Sequence, residues 1–218
     1  MTDLRNQPRR RVRLASRSPR RRQLLESSGF EVHAQPASID DADLRISAAV
    51  NPEEWTVALA YLKARNVADQ LGEASAEEPI LGADTIVDLD GVVIGQPSDE
   101  GEAREIILAL EGRPHRVVTG VAVLEPHRRR RVLFVDVATV TVGRIGQKAI
   151  DAYLGTGAWR GKAGAYNLIE RVHAGWPIQC DGDPASVMGL PMARLVSLWP
   201  RLAREDSCND SADAFRPA

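Results

Sequence analysis

The segment Leu14-Ala15-Ser16-Arg17-Ser18-Pro19-Arg20-Arg21-Arg22 constrains this chain more than any other stretch. An apolar run, Val12 to Ala15, gives way to a Ser-Pro step, and consecutive arginines follow before Gln23-Leu24-Leu25. Serine is a good N-cap and proline suits the first helical position, so the pattern predicts a short buried strand feeding a helix over Pro19 to Ser28, stopped by Gly29. The arginines then fall in the first turn, where a helix already carries partial positive charge and free N–H groups. Cations in that place point to an anion bound from outside, with phosphate the natural candidate. The bland alternative is a solvated helix face. A strand leading into a phosphate-facing helix is in either case an α/β arrangement, and such folds bind ligands at sheet edges.

The rest of the pattern agrees with a mixed α/β fold. Phe30 to Pro36 reads as a strand, followed by the acidic run Ile39-Asp40-Asp41-Ala42-Asp43. Trp55, Leu59, Leu62 and Val67 recur near helical spacing between Pro52 and Leu71, with Gly72 as the stop and Lys63 on the helix body. Pro79 to Ala83 is a strand that opens into the polar Asp84-Thr85, after which Ile86 to Leu89, a turn at Asp90-Gly91 and Val92 to Ile94 form a hairpin. Helices are expected over Glu100 to Leu110, Gln147 to Gly155 and Met192 to Leu202, the last interrupted at Pro200. Val117 to Leu124 and Arg131 to Val142 alternate as paired strands, and Arg128 to Arg131 between them reads as a solvated hairpin loop. Residues 12–204 are expected to form one domain, between a flexible basic N-terminus at 1–11 and a flexible C-terminal tail at 205–218.

Charge narrows the function classes. With 28 basic and 30 acidic residues among 218, the net charge of -2 draws the protein neither to nucleic acid nor to a membrane, so any anion affinity must be local. Cys180 and Cys208 lie far apart and suggest no disulfide framework, which fits a cytoplasmic location. No segment has the length of a membrane span. The histidines His33, His115, His127 and His173 lack close metal-ligand spacing, and no Ser-His-Asp arrangement is specified.

Two further stretches carry chemistry. Asp84, between Gly82-Ala83 and Thr85, is a strand-end carboxylate that either orients water, accepts its proton or holds a divalent ion, or else caps a turn. Gly161-Lys162-Ala163-Gly164-Ala165-Tyr166 sets a lysine among small residues, where backbone and cation can both approach a polyanion. It lacks the spacing of a Walker A loop.

Taken in order, Leu14-Ala15-Ser16-x-Ser18-Pro19-Arg20-Arg21, Leu59-Ala60-x-x-Lys63-Ala64, Gly82-Ala83-Asp84-Thr85, His115-x-Val117-x-Thr119-Gly120-Val121, Gly161-Lys162-Ala163-Gly164-Ala165-Tyr166 and Gly189-Leu190-Pro191 resemble the Maf-type nucleoside triphosphate pyrophosphatases. The resemblance implies an elongated, two-lobed α/β domain with a mixed sheet and a central cleft, in which a nucleoside triphosphate is cut to its monophosphate and pyrophosphate. It implies Asp84 as proton acceptor, Lys63 and Lys162 beside it in the catalytic set, and Ser16, Arg20 and Arg21 around the phosphates. It also implies a divalent cation, Mg or Mn, and a possible homodimer.

Departures from the family pattern bear on the base. Gln96 stands where the family usually has lysine, retaining a hydrogen-bond donor without the charge. Arg20 and Thr85 agree with the branch that resembles dTTP and UTP hydrolases, whereas Ile169 replaces its glutamine. Shifting the alignment by one residue puts Glu170 in that place instead. The methylated-guanine branch carries tryptophan where this chain has Arg20. The expected activity is therefore hydrolysis of dTTP, UTP or modified pyrimidine nucleotides. The alternatives are a nucleic-acid-binding regulator, disfavoured by the absence of basic excess and aromatic interleaving, and a nucleotide sensor without turnover.

Overall fold

The computed structural model describes residues 10–39, 50–72 and 78–203. Asp40, Asp41 and Asp43, most of the basic N-terminus and the C-terminal tail lie outside these residues. One seven-stranded mixed sheet organises the chain, in the order β2-β1-β3-β5-β6-β7 with β4 also on β3. The strands are β1 (Arg10–Leu14), β2 (Phe30–Ala34), β3 (Ile80–Leu89), β4 (Val92–Ile94), β5 (Pro114–Glu125), β6 (Arg130–Val142) and β7 (Ile178–Asp181). The strand β1 runs parallel to both β2 and β3, and every other pairing is antiparallel. The helices are α1 (Pro19–Ser27), α2 (Pro52–Leu71), α3 (Glu100–Leu110), α4 (Gln147–Gly155), α5 (Leu168–His173), α6 (Pro184–Val187) and α7 (Met192–Ala203).

Side-chain alternation along β3 sorts the core. Ile80, with Ala122 and Leu124 of β5, packs under Ala60, Ala64 and Val67 of α2. The other face of β3 carries two separate apolar clusters. Leu81 and Ala83 join Val121 and Val123 of β5 and, from α7, Leu195 and Trp199. Val87 and Leu89 join Val117 and residues of α3 and α4. Between the clusters, on the same face, lie the polar Thr85 and its cross-strand partner Thr119. Two helical layers thus meet the sheet on either side of a polar strip, the physical form of the expected two lobes and cleft.

The helix α2 lies close against the strands. An added Cβ at Gly82 would fall 2.1 Å from the Ala60 carbonyl oxygen, and one at Gly120 would fall 2.3 Å from the Thr56 carbonyl carbon. Any side chain at either position would push α2 off the sheet.

Three expectations change. The strand β3 runs unbroken through Asp84-Thr85, because β5 pairs with it there, Asp84 against Gly120 and Thr85 against Thr119, and both side chains find partners on their own faces. The helix α7 continues past Pro200 to Ala203. Proline near the end of a helix removes little of the ladder, and Leu195 and Trp199, the latter edge-on to Phe30 at 4.7 Å, hold the helix to the core. The strand β1 begins at Arg10, since β2 pairs with it from Arg10 onward. Among the described residues, no helix is long and apolar enough to cross a membrane.

Candidate functional site

The site grows from a gap in the sheet. The strand β1 pairs with β3 only at Ile80 and Leu81, and β4 pairs with it only from Val87 to Leu89. Between those pairings, the edge of β3 from Gly82 to Ile86 has no strand beside it among the described residues, and Asp84 and Thr85 sit in that opening. Chain leaving β1 turns there into α1, as at the switch point of an open α/β sheet.

As the sequence implies, Ser18 caps α1, its hydroxyl accepting from the Arg21 N–H, and Pro19 starts the helix. The arginines then part company. Arg22 points to the surface and pairs with Glu26 at 2.7 Å. Arg21 turns inward, donating to Ser16 Oγ at 3.1 Å, Thr85 Oγ1 at 3.1 Å and the Gly189 carbonyl at 3.0 Å. The relay continues through a 2.9 Å contact between Thr85 and Thr119, whose hydroxyl donates to the Ser186 carbonyl. One guanidinium therefore ties α1, β3 and the loop before α7 together. Arg20 lines the pocket, and its Nε is buried with no acceptor. Burial lowers the Arg20 pKa, while the Glu170 carboxylate and Tyr153 act in the opposite direction.

On the α2 face, Lys63 Nζ donates to Asp84 Oδ1 at 2.7 Å, and both side chains are largely buried. The close approach at Gly82 and Gly120 sets this pair, because α2 must lie against the sheet for Lys63 to reach β3. Asp84 and Thr85, adjacent in sequence, consequently present a carboxylate–ammonium pair on one face and a hydroxyl–guanidinium pair on the other.

The lysine-bearing loop closes the pocket from the far lobe. Gly161, Gly164 and Ala165 all have positive φ, at 67°, 70° and 62°. At Gly164 a Cβ would lie 2.8 Å from Val87 Cγ2, and the strained Ala165 is held by the Tyr153 hydroxyl, which donates to its carbonyl at 2.8 Å. Lys162, itself buried, donates to Glu170 at 2.7 Å. Tyr166 lines the pocket and meets His115 in a buried 2.9 Å hydrogen bond. Burial depresses His115 to about 4, so its ring is neutral near pH 7.

The resulting pocket is an open cleft with a cavity volume of about 100 Å3. Arg20, Arg21, Thr85 and Gln96 line it, while Ser16 lies behind Arg21. Ile169 does not line it: that side chain is exposed on α5, one residue from Glu170. Sequence reasoning passed over Thr119, Tyr153 and Gly189 as site residues. Thr119 and Gly189 do fall inside the quoted motifs, whereas no signal along the chain points to Tyr153.

A pocket at a sheet switch point, walled by helix-borne arginines, with a carboxylate–lysine pair on the opposite face of the same strand and outside the pocket lining, defines an α/β protein with a cationic cleft. The Maf-like protein family matches residues 11–202, and the chain belongs to that family. It is 38% identical over 183 residues to a dTTP/UTP pyrophosphatase of Bacillus cytotoxicus, covering 84% of this chain and 91% of that one. It is 38% identical over 180 residues to a dTTP/UTP pyrophosphatase of Thermococcus gammatolerans, covering 82% and 90%. Among solved structures, a HAM1 protein from Coxiella burnetii is similar over 63% of this chain and 75% of that chain, with a TM-score of 0.40 and 17% identity.

Proposed function

We propose that this protein hydrolyses a nucleoside triphosphate to its monophosphate and pyrophosphate, with dTTP, UTP or modified pyrimidine nucleotides as preferred substrates. The observation that carries this reading is that one gap in the edge of β3 holds both the Thr85 hydroxyl, bound to Arg21 at the pocket, and, on the opposite face of the strand, the Asp84–Lys63 pair. Membership of the Maf-like family and the activity for which its dTTP/UTP pyrophosphatase relatives are named support the same reaction.

The chemistry divides among these groups. Lys63 orients the Asp84 carboxylate, which takes a proton from water as the water oxygen attacks the α-phosphorus. The bond from that phosphorus to the bridging oxygen breaks, and pyrophosphate leaves with the electron pair. Arg20 and the α1 N-terminus meet the phosphate charge, Lys162 adds positive charge from the loop that borders the pocket, and Gln96 offers a neutral donor. Arg21, bonded to Ser16, Thr85 and Gly189, shapes the wall as well as charging it.

Among the described residues, no three His, Cys, Asp or Glu side chains cluster as a metal cage. Mg2+ is commonly held by one or two carboxylates together with substrate phosphates, and Asp84 is the carboxylate of this site that would hold it. Bound there, Mg2+ or Mn2+ supplies charge neutralisation on the phosphates.

A panel of nucleoside triphosphates assayed for pyrophosphate release, with Mg2+ and with Mn2+, tests the reaction and the base preference together. Equal amounts of monophosphate and pyrophosphate are expected, and orthophosphate as the first product would refute the assignment. Asp84→Asn should lower kcat on the order of a hundredfold to ten-thousandfold.

A further inference from the structure

The two lysines of the pocket region are each held by a carboxylate at 2.7 Å, yet the two carboxylates differ in setting. Asp84 is locked in the middle of β3 and largely buried. Glu170 stands in the first turn of the short helix α5, with its side chain 46% exposed against 11% for Lys162. Its backbone N–H is capped by Asn167, so the helix does not need the carboxylate where it is. Only the ion pair draws that side chain inward. The same carboxylate acts electrostatically on Arg20, whose Nε is buried with no acceptor. One partly exposed anion therefore pairs with the buried Lys162 and acts through space on the half-buried Arg20.

A buried ammonium without an anion is costly, and Glu170 supplies that anion to Lys162. Glutamate can do this reversibly, because it swings on rotatable bonds from a half-exposed position. We propose that Glu170 is an internal counter-anion that holds Lys162, on the loop whose Gly161 and Ala163 border the pocket, and is displaced by a polyphosphate, thereby weakening the hold on polyphosphates, the product pyrophosphate included. This rests on the reading of the pocket as a polyphosphate site. Displacement costs the ligand the Lys162–Glu170 hydrogen bond and leaves a carboxylate close to bound phosphate. Glu170 then sets how tightly polyanions bind without touching the reacting atoms.

Calorimetric titration of the full-length protein with inorganic pyrophosphate, at fixed magnesium concentration, tests the idea without turnover. Glu170→Gln and Glu170→Ala should each tighten pyrophosphate binding by about threefold to tenfold, the scale of one partly exposed charge-assisted contact. The salt dependence should steepen too, since more net positive charge then meets the ligand. Uncharged thymidine, which has no phosphate to compete with Glu170, should bind both variants as it binds the parent. Unchanged or weaker pyrophosphate binding in both variants overturns the proposal, as does a loss of thymidine binding, which would assign Glu170 to the base. Arg20→Ala separates the two levels: if it leaves pyrophosphate affinity intact, the pocket is not the polyphosphate site and the reading beneath the proposal fails. If Arg20→Ala weakens binding while the Glu170 variants change nothing, only the counter-anion role is lost.

Discussion

Gly82→Ala should damage both stability and catalysis, although a single methyl group is added at a residue that does not line the pocket. The new Cβ would lie 2.1 Å from the Ala60 carbonyl oxygen and 2.9 Å from the Ala64 N, both backbone atoms of α2. No side-chain rotation relieves such a contact. To restore an ordinary separation, α2 or β3 must move by about 1 Å. Overpacking of this kind costs roughly 1–3 kcal/mol, at an interface where Ala60 and Ala64 are fully buried. The same displacement separates Lys63 on α2 from Asp84, two residues beyond Gly82, and a misplacement of about 1 Å can cost on the order of a hundredfold in rate. Urea denaturation gives the stability change, and steady-state pyrophosphate release gives kcat and KM, with the loss expected mainly in kcat. Gly155→Ala is the internal control, because its Cβ would meet nothing within 4 Å at the end of α4. That change should be neutral or stabilising by up to about 1 kcal/mol. A Gly82→Ala protein with parental stability and kcat would refute the argument that close α2 packing sets the Asp84–Lys63 pair.

Arg21→Lys keeps the charge but loses the planar fork that reaches Ser16, Thr85 and Gly189 at once. Thermal unfolding should show a loss of about 1–3 kcal/mol, together with a raised KM. His115 makes stability depend on pH in a fixed direction. Its folded pKa of about 4 lies below the ordinary histidine value of 6.5, so the unfolded chain takes up a proton that the folded one refuses. Stability should therefore fall as pH drops from about 6.5 towards 4, by on the order of 2–3 kcal/mol. In His115→Gln that portion of the pH dependence should vanish, and denaturation at pH 7 and pH 4.5 distinguishes the two. An unchanged pH profile would mean that His115 is not the titrating group.

Local chemistry made much of this protein legible in one dimension. The Ser-Pro cap and its arginines specify a helix start and an anion, because capping and the first-turn charge depend on neighbours in sequence. Residues such as Asp84, Lys63 and Lys162 stand out through their motifs. The helix α2 was readable from its apolar spacing, with both ends marked, by Pro52 and by Gly72.

Partnership across the fold was not readable. The sequence reading breaks β3 at Asp84-Thr85 because two polar residues interrupt an apolar run, and only the facing strand β5 shows that the ladder continues. The division of labour among Arg20, Arg21 and Arg22 follows from which face of α1 meets Thr85 and Gly189, residues 64 and 168 positions away from Arg21. The same holds for Tyr153, which steadies the strained loop from a different helix, and for Glu170, which meets Lys162 only because α5 folds back against that loop. Sequence alone determined which residues could carry charge, cap a helix or take a strained turn, since those properties belong to the residue and its nearest neighbours. Tertiary structure decided which charges meet, because an ion pair or a hydroxyl relay exists only where separate elements are packed within a few ångströms, and here glycine at 82 and 120 permits that approach.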